Sequence, residues 1–275
     1  DLFHPGLCLA LCDDRAGPVG VRHAVGTLLT RVGDASSLTR EEIAARLSGP
    51  PEERAAFLRQ LAGEGVAEAQ ALLGQLLLDG NGVARDERAA FGWFERAARQ
   101  HHAMALNMVG RCYDLGWGVA VDKARAAECF RVASARGLPE AQYNYGTALA
   151  LGVGVAEDKA AALALFEQAA AAGYAKAINH VGSFAEDGWV GPRDMAKAAD
   201  CYARAAEGGD FRGCFNHARL LGVAGDVEEA LPWLRRAGEL GNERFVAKAL
   251  AWLAASDVPG FADRGVAALK EGAGC

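Results

Sequence analysis

The sequence predicts an all-α fold, an α/α solenoid of stacked helix hairpins. Three observations predict it. Gly74, Gly110, Gly146 and Gly182 recur 36 residues apart, and a period of roughly 20–50 residues marks an array of small structural repeats. Each period holds two apolar stripes at helical spacing, parted by a glycine-rich loop. Apolar residues make up 51% of the chain, enough to bury a core rather than remain disordered.

In chain order, residues 1–37 read as an N-terminal helical cap. Val21, Val25, Leu28, Leu29 and Val32 place a helix near 20–32. Residues 38–66 read as a degenerate repeat, its first helix capped by Thr39 with Glu41 and Glu42 in the first turn. Five repeats follow over 67–242: 67–102, 103–138, 139–174, 175–210 and a shorter 211–242. Residues 243–275 read as a C-terminal helical cap with helices over 243–255 and 261–271.

Each repeat carries a helix A and a helix B. Ala69, Leu73 and Leu77 form the inner face of the first helix A, and four-residue spacing keeps them on one side. The recurrent glycine sits in mid-helix, where it costs about 1 kcal/mol against alanine. A cost repeated four times needs a reason, and close approach of a neighbouring helix supplies one. The loops Gly80-Asn81-Gly82-Val83, Gly116-Trp117-Gly118-Val119, Gly152-Val153-Gly154-Val155 and Gly188-Trp189-Val190-Gly191 end helix A, since glycine takes the left-handed conformation that stops a helix. Asp86, Asp122, Asp158 and Asp194 cap helix B, which buries Phe94, Phe130, Phe166 and Tyr202. In repeat five, Asp226 to Glu229 reads as a capping box and Pro232 as a kink.

The pattern A-x-A-x-x-x-[LV]-G, then G-x-G-V-x-x-D, then [FY]-x-x-A-A-x-x-G, resembles the Sel-one-like repeat, a relative of the tetratricopeptide repeat, over roughly residues 52–242. Repeat five departs from it, with Ala218 for glycine and His217 for the core aliphatic. The resemblance implies a solenoid whose A helices line a concave groove, and a scaffold, adaptor or regulatory role, mostly in bacteria. The secreted branch of the family carries cysteine pairs inside each repeat. Cys8, Cys12, Cys112, Cys129, Cys201, Cys214 and Cys275 do not follow that pattern; they read as small buried apolar residues.

If the A helices line a groove, Asn107, Arg111, Tyr143, Asn144, Asn179, His180, Ser183, Phe215, Asn216 and Arg219 face a partner. Asparagine offers donors and an acceptor to an extended backbone, and arginine clamps a carboxylate. The competing reading of the asparagines is contact between neighbouring repeats. The expected function is a non-enzymatic scaffold for a protein or peptide, such as a bacterial regulator or an immunity or chaperone protein for a secreted effector. The alternative is a hydrolytic site near His180 or in the N-terminal region. No H-E-x-x-H, nucleophile elbow or G-K-[ST] loop occurs, so no catalytic residue, metal ligand or cofactor is assigned. Trp117 and Trp189 read either as interface anchors or as packing under the loops.

A net charge of −6 argues against a nucleic-acid partner, and no apolar run approaches the ~18 residues of a membrane helix. Leu7 to Cys12 resembles the tail of a lipoprotein signal, but the run is short and lacks a basic flank. The expected compartment is the cytoplasm, with the periplasm as alternative.

Overall fold

In the computed structural model, which describes residues 39–274, every regular element is a helix. The expected cap over 1–37, including its helix near 20–32, lies outside the described residues. Helices α1 (Arg40–Ser48) and α2 (Pro51–Gly63) come first. Five pairs of helices follow along the chain, each a helix A and a helix B. They are α3 (Ala67–Asp79) with α4 (Glu87–Arg99), α5 (Ala103–Leu115) with α6 (Lys123–Ser134), α7 (Pro139–Leu151) with α8 (Lys159–Ala171), α9 (Ala175–Asp187) with α10 (Met195–Glu207), and α11 (Phe211–Ala224) with α12 (Val227–Leu240). The closing pair is α13 (Glu243–Ala254) and α14 (Phe261–Ala273). The chain forms two compact units, an N-terminal one that closes at Glu157 and a C-terminal one that begins at Asp158 for the remainder of the described chain.

Local chemistry sets the helix ends. Gly80, Gly116, Gly152 and Gly188 each take positive φ and stop a helix A. Asp86, Asp122, Asp158 and Asp194 each accept the backbone N–H three residues on, at 2.9, 3.0, 2.9 and 2.9 Å, a cap worth about 1 kcal/mol. Thr39 completes a capping box with Glu42, at 3.2 and 2.7 Å. One expectation changes. Asp226 stands at the start of α12 without a side-chain cap bond, because the shortened loop leaves its ψ at 54° rather than the 91–97° of the other four caps. His102 opens α5, its Nδ1 accepting from the Ala105 N–H at 3.2 Å. Pro232 lies inside α12.

The N-terminal unit buries Ile43, Leu58, Leu73, Phe94 and Val109 in one cluster. In the C-terminal unit Phe211, Phe215, Leu234, Phe245 and Phe261 form the counterpart, with Phe245 edge-on to Phe211 at 4.6 Å. The mid-helix glycines have a definite partner. A Cβ on Gly74, Gly110 or Gly182 would come within 2.6, 2.6 and 2.8 Å of the ring of Phe94, Phe130 and Tyr202 respectively. The close approach is therefore a notch in helix A that takes the aromatic ring of its own helix B. The thiols behave as packing atoms. Burial pushes Cys112 and Cys214 up to about 12, far from any reactive thiolate.

Gly110→Ala tests the notch. Alanine should stabilise a helix by about 1 kcal/mol, but here we expect net destabilisation, largely relieved by adding Phe130→Leu. Phe130→Ala alone should cost about 3–5 kcal/mol. Urea denaturation measures all three, and a stabilised Gly110→Ala would show that the ring does not occupy the notch.

Candidate functional site

The ten groove candidates divide by burial. Asn107, Asn179, His180, Ser183, Phe215 and Asn216 are buried, so these six stand inside the helix stack and not on an open face. Arg111, Tyr143, Asn144 and Arg219 are half-buried. The cause is the neighbouring repeat. Asn144 Nδ2 donates to Asn107 Oδ1 at 2.9 Å, joining α7 to α5 in the N-terminal unit. Asn216 Nδ2 donates to Asn179 Oδ1 at 2.9 Å, joining α11 to α9 in the C-terminal unit. The asparagines thus hold successive A helices together, the competing reading of the sequence.

In the N-terminal unit, Arg111, Tyr143 and Asn144 stay partly open on α5 and α7. The Arg111 guanidinium lies 4.9 Å from the centre of the Trp117 ring, an arrangement that restrains a long side chain by cation–π attraction. Trp117 is half-buried against the core cluster. Trp189, its counterpart in the C-terminal unit, meets Phe184 edge-on at 4.8 Å. Both tryptophans are thus packed beneath their loops.

In the C-terminal unit the polar side chains form a connected set. Arg219 Nη2 reaches Glu186 Oε2 at 2.6 Å, and Tyr202 Oη donates to the same oxygen at 2.7 Å. Tyr202 Oη also lies 3.3 Å from Ser183 Oγ, and Ser183 donates to the Asn179 carbonyl at 3.3 Å. Burial alone would raise the Glu186 pKa, but the Arg219 bond and charge and the Tyr202 hydroxyl hold it below the ordinary carboxylate value. Burial, then the Glu186 charge, raises the Tyr202 pKa. Arg219, expected as a carboxylate clamp, therefore holds a carboxylate of its own chain. The sequence reading missed Glu186 and Tyr202. Their signal was the hydroxyl of Tyr202 in the register of Phe94, Phe130 and Phe166.

His180 is 3% exposed. Its ring stacks on Phe166 with centres 4.8 Å apart and planes at 11°. Burial, and then the positive charge of buried Arg212, push its pKa down to about 3, so the imidazole is neutral at physiological pH. His217 is half-buried and edge-on to Trp233 at 5.4 Å. Among the described residues no cluster of three metal-capable side chains forms, and no helix is long and apolar enough to cross a membrane.

Comparison with known proteins bears on this arrangement. The Sel1 repeat profile matches residues 67–102, 103–138, 139–174, 175–210 and 213–242. Among solved structures, a Sel1 repeat protein from Oxalobacter formigenes superposes with a TM-score of 0.67 at 22% identity, over 90% of this chain and 97% of that one. A protective antigen present in uropathogenic Escherichia coli strains, displaying an SLR fold, superposes with a TM-score of 0.61 at 24% identity. That match covers 92% of this chain but 53% of the antigen, so this chain spans about half its length. These likenesses concern the fold. Among curated proteins, none matches this sequence.

The buried imidazole has a pH signature. The unfolded chain protonates His180 near its ordinary value of 6.5, whereas the folded chain does so only near 3. Between these values the unfolded state binds more protons, so stability falls as pH drops from about 6.5 towards 3, by up to about 1.4 kcal/mol per pH unit. His180→Gln should remove that component. Chemical denaturation of both proteins at pH 7, 6, 5 and 4 measures the difference in slope, and identical slopes would place the imidazole in water.

Proposed function

The chain belongs to the Sel1 repeat family, and from that premise we propose that it is a non-enzymatic scaffold whose A helices hold a segment of another protein. Proteins built of Sel1 repeats generally serve as protein-interaction scaffolds. One observation carries the reading to this chain. Arg111, Tyr143 and Asn144 stay partly open on α5 and α7, whose spacing the Asn107–Asn144 bond fixes. Side chains held in place before binding lose less freedom on contact. Tyrosine and arginine are also the residue types that concentrate binding energy at interfaces.

In this reading Arg111 supplies charge and donors, Tyr143 an aromatic anchor, and Asn144 a hydrogen-bonding amide. Asn107 acts beneath them by holding Asn144. The buried members of the sequence-based set, Asn179, His180, Ser183, Phe215 and Asn216, shape the C-terminal unit without touching the partner. Arg219 contributes through its pairing with Glu186. A bacterial adaptor, a regulator, or an immunity or chaperone protein for a secreted effector would fit this reading. The cytoplasm is the proposed compartment and the periplasm the alternative. Burial of His180 argues against hydrolysis at that residue, because a substrate has no access to a ring 3% exposed.

A photo-crosslinking amino acid at Tyr143 should trap the partner in cells of the source organism, while the same group at exposed Glu128 on α6 should not. Arg111→Ala in the recovered complex should weaken binding about tenfold, the loss of a contact worth about 1.4 kcal/mol, with an unchanged helical circular dichroism spectrum. Equal trapping from both positions would move the interface off the A helices.

A further inference from the structure

We infer that the cleft between α8 and α10 receives an aromatic side chain from a partner protein, with Arg204 closing over the ring. The cleft lies in the C-terminal unit and encloses about 300 Å³, at the small end of the ~300–1,000 Å³ range of binding pockets. Ala170 of α8, Ile178 and Val181 of α9 and Cys201 of α10 give it apolar walls. Two ion pairs edge it, Lys197–Glu167 at 3.2 Å and Arg204–Asp200 at 3.3 Å. All four of these side chains are solvent-exposed, so the pairs are weak and easily rearranged. Their charges cancel, which suits a neutral occupant.

The repeat itself identifies the occupant. In repeat one, the positions of Cys201 and Arg204 are filled by Trp93 and Arg96, three repeat lengths earlier. There the Arg96 guanidinium lies 4.4 Å from the centre of the Trp93 ring. Trp93 is half-buried against the core cluster that contains Ala62 and Leu73, the register counterparts of Ala170 and Val181. Repeat one therefore sets an indole at this register position and lays a cation over it. Repeats two and three have Cys129 with Val132, and Leu165 with Gln168, at these positions. Repeat four alone keeps the arginine and the small-walled cleft while lacking the ring. A guanidinium at the edge of an aromatic-sized cleft supplies one half of a cation–π pair. This surface shares no residue with the A-helix set of Arg111, Tyr143 and Asn144, and it accepts a separate contact.

The test is a titration of the isotopically labelled whole chain, followed by amide NMR shifts, with N-acetyl-tryptophanamide and N-acetyl-leucinamide as probes. The tryptophan probe should give saturable shifts at Ala170, Ile178 and Cys201, and the leucine probe should bind about fivefold more weakly. Arg204→Gln should weaken the tryptophan probe about threefold, as expected for loss of an exposed cation–π contact. Cys201→Trp should abolish binding by supplying the ring from within. Because that variant alters a buried position, Ala171→Trp at the exposed edge of the cleft serves as a second block that leaves the interior intact. Absence of saturable shifts, equal binding of the two probes, an unaffected Arg204→Gln, or binding that survives Ala171→Trp would each overturn the inference.

Discussion

The contact on which the rest depends is an aromatic ring laid against a bare stretch of helix. Gly74, Gly110 and Gly182 leave the space that Phe94, Phe130 and Tyr202 fill, and a single methyl would bring the atoms within 2.6–2.8 Å. The ring fixes how close helix A and helix B of a hairpin stand. Mid-helix glycine weakens the helix by about 1 kcal/mol, whereas burying a phenylalanine contributes roughly 1.5–3 kcal/mol. The second effect is the larger one, so the arrangement can recur from repeat to repeat.

Much of this was legible in the residues. The glycine period, the aspartate caps and the ring positions share one register, and the chemistry of each depends on neighbours within a single hairpin. Asp226 was misread because a cap depends on backbone angles that the letters around it do not set. The groove residues were harder for a different reason. Whether Asn179 or His180 meets water depends on what the adjoining helices place over it, here Asn216 in one case and the Phe166 ring in the other. An intra-hairpin pattern does not carry that information.

The two units use the same helix-A positions differently. In the N-terminal unit Arg111, Tyr143 and Asn144 remain partly open around a single amide pair. In the C-terminal unit the corresponding region is closed by Arg212, Asn216 and the Glu186–Arg219–Tyr202 set. The proposed recognition surface therefore lies in the half that keeps polar and aromatic side chains in reach of solvent.

The asparagine pairs also constrain how such an array can grow. Asn107 and Asn179 stand fifth in their repeats, whereas their partners Asn144 and Asn216 stand sixth. Deleting residues 139–174 alone would remove Asn144 and leave the buried Asn107 amide without its partner, at a cost of about 1–3 kcal/mol. Copying or deleting repeats two and three together, or four and five together, would keep each amide pair whole. Changes in the length of this array are therefore least costly as doublets of those repeats.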